Sequence, residues 1–159
     1  MHERPSVQVA VVMEREARPN RWEDWRFSVA EVVIDEGFGG ASRVLRDDGR
    51  VQSSLHPGFT LELFADEGEG YYLNLSSGAP VWFVMWRVDE SDPWSARPAA
   101  VSLSYNEAGR WLDAQERVDN VPLGVELIAW LQAFTDEHYR PEPKKRKRPA
   151  SFLPPDQRS

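Results

Sequence analysis

The chain has 159 residues, 41% of them hydrophobic and 11% aromatic, which suffices for one buried core and is too apolar for global disorder. It has no cysteine, which excludes a disulfide framework, a thiol nucleophile and any cysteine-ligated zinc or iron–sulfur site, and suits the cytoplasm. The net charge of −7 is unevenly placed: from Pro141 onward basic residues outnumber acids by four, leaving −11 on residues 1–140.

The N-terminal stretch Val7 to Met13 alternates Val7, Val9, Val11 and Met13 against Gln8, Ala10 and Val12, the period of a strand. It has no basic lead-in or small-residue cleavage site, so it reads as a strand and not a signal peptide. Glu14 to Arg26 reads as a charged loop carrying Trp22 and Trp25. Phe27 to Ile34 is a second strand, and the glycines at 37, 39 and 40 require a turn. Arg43 to Leu55 reads as a hairpin around Asp47-Asp48-Gly49. His56-Pro57-Gly58 breaks the chain before a strand from Phe59 to Phe64. Asp66 to Gly70 reads as a turn and Tyr71 to Leu75 as another strand.

Val81 to Val88 is apolar on both faces, the mark of a central covered strand. A polar loop with Trp94 follows from Asp89 to Pro98, then a last strand from Ala100 to Leu103. Ser104-Tyr105-Asn106-Glu107 matches a capping box, in which the serine hydroxyl accepts from the amide three residues on and the glutamate reaches back. This starts a short helix to about Gln115, with Ala108, Trp111 and Leu112 on one side. Glu116 to Val121 reads as a loop, with Pro122 in the first turn of the next helix. Leu123, Leu127, Trp130, Leu131 and Phe134 form the apolar stripe of that helix, which ends at Arg140-Pro141.

Strands first and helices last indicate an α+β fold. The expected architecture is a mainly antiparallel curved sheet or small barrel of about seven strands, with a short helix and a longer C-terminal helix packed on it. The helical stretch is expected to cover one face of Val81 to Val88. Residues 1–140 form a single domain, and residues 141–159 a basic, proline-rich, disordered tail.

Motifs for chemistry are scarce. His2, His56 and His138 share no metal-ligand spacing and read as surface or structural residues. The acidic turns lack the rhythm of a calcium loop, and there is no G-x-S-x-G nucleophile motif. No catalytic residue, metal or cofactor is therefore expected. Two features fit partner binding. The run Lys144, Lys145, Arg146, Lys147 and Arg148 is either a plain solvated arm or a docking arm for an acidic partner. The acidic body argues against nucleic acid. The polar set Asn106, Glu107, Arg110, Asp113, Glu116, Arg117 and Asp119 beside Trp111 is either local capping and ion pairing or a recognition face.

VVMERE with RWEDWRF, then SYNEAGRWLDAQERVDNVP, then AWLQAFTDEHYRPEPKKRKRP together resemble a bacterial family, domain of unknown function 3305, over about Val7 to Pro149. The resemblance implies a neighbourhood of molybdenum-dependent formate dehydrogenase and its maturation factors, and no established activity. The implied role is a cytoplasmic, non-catalytic accessory or assembly protein that binds a protein partner. The alternative is a small-molecule binder or enzyme of molybdopterin metabolism with a pocket between sheet and helices. The first strand runs into Glu14-Arg15-Glu16-Ala17-Arg18 without a glycine, so it lacks the phosphate-cradling loop of a nucleotidyltransferase.

Overall fold

The computed structural model describes residues 4–17 and 25–141. It is an α+β fold with two antiparallel sheets. The first has four strands in the order β2-β1-β4-β3, built from β1 (Ser6–Ala17), β2 (Trp25–Ile34), β3 (Arg43–Asp47) and β4 (Val51–Glu62). The second has three, in the order β6-β5-β7, from β5 (Val81–Asp89), β6 (Asp92–Ser102) and β7 (Arg117–Pro122). Three α-helices complete it: α1 (Gly68–Ser76), α2 (Tyr105–Asp113) and α3 (Val125–His138). The expected single curved sheet or barrel is thus corrected to two separate sheets.

The alternation in β1 does what it predicts. Val9, Val11 and Met13 meet Trp82, Val84 and Trp86 of β5 in one core between the sheets. Each large apolar side chain removed from water there contributes about 1.5–3 kcal/mol. Two contacts stitch the sheets along the β2–β7 side. Phe27 tilts against Trp86 with ring centroids 6.3 Å apart, and the Val29 amide donates to the Asp119 carboxylate at 2.8 Å. On the other face of β1, Ala10 and Val12 join Leu55 in a smaller cluster covered by Val33 and Phe38. Phe38 is brought there by a turn in which the Asp35 carboxylate accepts from the amides of Gly37 and Phe38. Those bonds hold the Asp35 carboxyl below the usual carboxylate range.

His56-Pro57-Gly58 does not break the chain. It is a bulge inside β4: Val9 pairs with Phe59 and Val11 with His56, so β4 carries one extra residue, and Gly58 takes φ +94°. β3 pairs with β4 only as far as Leu55, so Pro57 falls where that side of the strand has no β3 partner to donate to.

Four segments differ from expectation. Tyr71 to Leu75 lies in α1, not a strand. The loop at Glu14 to Arg26 shrinks, because β1 runs to Ala17 and β2 starts at Trp25. Most of Asp89 to Pro98 is strand β6, an edge position that tolerates Pro98. Glu116 to Val121 is largely β7, paired with β5 from Val81↔Pro122 to Trp86↔Arg117. Pro122 therefore ends an edge strand, and α3 starts at Val125 after Gly124.

β5 is central in its sheet, as its two apolar faces require. Its second face carries Phe83, which meets Tyr105 of α2 edge-on at 6.4 Å. The covering helix is thus α2. The longer α3 packs beside α1: Phe134 meets Tyr71 at 5.9 Å and Tyr139 meets Tyr72 at 5.4 Å. The apolar stripe of α3 still enters the core through Leu131 and Phe134. Among the described residues no helix is long and apolar enough to cross a membrane.

Candidate functional site

The lead-in to α2 is fixed by buried polar bonds. Ser104 Oγ accepts from the Glu107 amide at 3.1 Å, the cap that the sequence predicts. The reciprocal half is replaced: the Ser104 amide donates to Ser102 Oγ at 3.0 Å. The Ser104 hydroxyl also donates to Glu67 Oε2 at 2.6 Å, and Arg110 pairs with the other oxygen of Glu67. Glu67 thereby ties the start of α1 to α2. Gly70 is required by this approach, because a Cβ there falls 2.0 Å from Ser104 Oγ.

Asn74 makes the second tie. It is 2% exposed, donates to the carbonyls of Val81 and Leu103 at 2.9 and 3.0 Å, and accepts from the Val81 amide at 3.0 Å. α2 then ends in a Schellman motif. The Glu116 amide reaches the Trp111 carbonyl and the Gln115 amide the Leu112 carbonyl, each at 2.9 Å, with Gln115 at φ 64°. That turn sends the chain into β7.

The structure disperses the predicted polar set. Arg110 is committed to Glu67. Glu116 takes a two-pronged bond from Arg87 at 2.8 and 3.0 Å, which holds its carboxyl below the usual range. Arg117 stacks over Trp86 at 5.4 Å, and Asp119 caps the Val29 amide. Asn106 is half-buried and Asp113 exposed. Glu107 and Trp111 lie on one side of α2, lining a shallow cavity of about 290 Å³ with Arg4, Glu62 and Phe64. Lys144, Lys145, Arg146, Lys147, Arg148, Trp22 and the side chain of Trp94 lie outside the described residues.

On the opposite side of α2, residues that the polar pattern does not single out make an apolar groove. Tyr105, Ala108 and Leu112 form one wall, and Phe83, Val118 and Asn120 the other, enclosing about 440 Å³. Tyr105 and Leu112 are each 57% exposed. The spacing Tyr105, Ala108, Leu112 is the signal for this face, visible in the sequence only once α2 is known to lie on β5 and β7. Such a pair of bare apolar side chains beside a groove fits an interaction surface.

A second cluster was also missed by sequence reasoning. His56 is 8% exposed, with Ser42 Oγ 3.1 Å from its Nδ1 and Ser54 Oγ 3.0 Å from its Nε2. Burial first, and then the Arg97 guanidinium, push its pKa below the ordinary value. Ser54 and His56 are two apart on β4 and so share a face, which is the one sequence signal. Ser42 comes from the segment before β3 and Arg97 from β6. Among the described residues no three metal-ligating side chains converge.

No curated protein and no solved structure matches the chain. The model of the DUF3305 family, described as a protein of unknown function, matches residues 8–148, and the chain belongs to that family.

Proposed function

We propose that the protein is a non-catalytic accessory or assembly factor that binds a protein partner through the groove between α2 and β7. The observation that carries this reading is the pair Tyr105 and Leu112, each more than half exposed, beside an apolar groove. Leaving two large apolar side chains in water is costly, and a partner that covers them recovers that cost. The body carries −11, so the partner is apolar at the centre of its contact surface and basic around it. The family resemblance adds the biological setting: a bacterial, cytoplasmic system of molybdenum-dependent formate dehydrogenase and its maturation factors. Affinity purification from native cells tests it. Recovery of the dehydrogenase or a maturation factor by the intact chain, and its loss with Leu112→Glu, is the expected result.

A second reading rests on the volume of the same groove, which lies within the range of small-molecule sites and sits between sheet and helix. In that reading the protein binds or processes a molybdopterin-type compound. Thermal shift with molybdopterin and nucleotides separates the two, because a bound ligand raises the melting temperature and a missing protein partner does not.

A further inference from the structure

The groove beside α2 has a floor as well as rims. Val118 and Asn120 of β7 pair with Met85 and Phe83 of β5, so they share the sheet face that α2 covers at Phe83. β7 is an edge strand of its sheet, and the groove opens over it. On the helix side, Tyr105, Ala108, Gly109 and Leu112 all line the groove. They stand at i, i+3, i+4 and i+7, the four corners of a hole that receives one side chain of a neighbouring helix. The two ends of the hole, Tyr105 and Leu112, are large and more than half exposed, and its middle is an alanine and a glycine.

Gly109 is the residue that contacts within the chain do not explain. Gly68 and Gly70 are crowded by Tyr139 and Ser104, whereas a Cβ at Gly109 meets nothing within 4 Å. It lies inside α2, where glycine is less favourable than alanine. A helical glycine beside an open groove suits close approach by another chain. Small residues at a helix–helix contact bring the two axes to the near end of their range of about 8–10 Å.

Charge supplies the rest of the partner's chemistry. Arg110 is held by Glu67, Glu116 by Arg87, and Glu107 lines the cavity on the far side of α2. Asp113, one turn on from Gly109, is exposed at the C-terminal end of α2, where the helix dipole is also negative. The rim of the groove therefore favours a cation.

We propose that the occupant of this groove is an amphipathic helix of the protein partner. It lies beside α2 over β7, seats one bulky apolar side chain between Tyr105 and Leu112 on Ala108 and Gly109, and sets a lysine or arginine against Asp113. The inference rests on the reading of the groove as a protein-binding surface and adds the form of what binds there.

The test uses a defined probe: a stapled alanine–lysine helix carrying a single central tryptophan, titrated into the isotopically labelled full chain and followed by amide NMR. Saturable shifts at Tyr105, Gly109, Leu112 and Val118 are expected. Replacing the peptide's tryptophan with alanine, its lysines with glutamate, or a central residue with proline should each weaken binding roughly tenfold or more. Gly109→Ala should weaken it as much while leaving the melting temperature unchanged or raised, a combination that a purely structural glycine does not produce. Asp113→Asn should weaken the lysine peptide and not a glutamine version of it. Absence of saturable binding, equal binding of the proline peptide, or undiminished binding by Gly109→Leu overturns the proposal. Stronger binding by a chain ending at Arg140 also overturns it, because the occupant is then the chain's own tail. Purification from native cells separates this inference from the reading beneath it. A partner lost with Leu112→Glu and retained with Gly109→Leu leaves the groove as a binding surface and overturns the helix.

Discussion

Asn74→Ala is the substitution whose cost the structure fixes best. The side chain closes three bonds to main-chain groups of two other segments, the start of β5 and the β6–α2 corner. Alanine supplies none of them. The Leu103 carbonyl lies in a buried bond and loses its partner without access to water, which costs about 1–3 kcal/mol. The two bonds at Val81 are part-buried, and each loses about 1 kcal/mol after partial rehydration. The sum is about 3–5 kcal/mol, a shift of roughly 10 °C or more in melting temperature for a chain of this size. Equilibrium urea unfolding measures it, with exposed Ser76→Ala on the same helix as control, expected within about 0.5 kcal/mol. A loss below about 1 kcal/mol for Asn74→Ala would refute the claim that this side chain holds α1 to the second sheet.

Three further substitutions test separate parts of the fold. Gly70→Ala gains helix propensity of about 1 kcal/mol, but its Cβ meets Ser104 Oγ and comes within 3.1 Å of the Asn106 amide. The expected net loss is about 2 kcal/mol by urea unfolding, since the cap and the Glu67 bond are displaced with the hydroxyl. Gln115→Gly relieves a left-handed residue in the α2 C-cap and is expected to raise stability by about 0.5–1 kcal/mol in the same assay. For His56, burial and Arg97 keep the folded pKa below 6.5, so the unfolded chain takes up the proton first. Its contribution is therefore intact above pH 6.5 and lost as pH falls from there toward the folded pKa. Melting temperature against pH should decline over that window in the native chain and less so in His56→Gln.

Much of the fold is legible where one chemical reason dominates. β5 reads as apolar on both faces and is central and covered, and the alternation of β1 puts Val9, Val11 and Met13 into the main core. Ser104 caps α2 because that bond spans three residues and needs no distant partner. What was not legible depends on contacts far along the chain. Gly68 and Gly70 make the opening of α1 read as a turn, yet they are glycine because Tyr139 and Ser104 press against them. β7 reads as a loop because its polar residues are used across the sheets, Asp119 on Val29 above all. The site followed the same rule. Glu67 lies thirty-seven residues from Ser104, so the polar lead-in looked like a free face when its arginine was already committed. The helix reads as carrying Ala108, Trp111 and Leu112 on one side, but that Leu112 stays exposed and Trp111 lies away from the groove cannot be read from composition. The crevice that His56 lines draws on five strands and the segment before β3, so its lining is scattered along the chain.

The claim that the α2–β7 groove holds a protein partner meets its most direct test in paired affinity purification from native cells at endogenous levels. The native chain and a Tyr105→Glu, Leu112→Glu variant of unchanged melting temperature are compared by quantitative mass spectrometry. The account predicts that formate dehydrogenase or one of its maturation factors is recovered with the native chain and depleted at least tenfold with the variant, as expected when two apolar anchors are replaced by charge. Recovery of neither, or equal recovery by both forms, would contradict it.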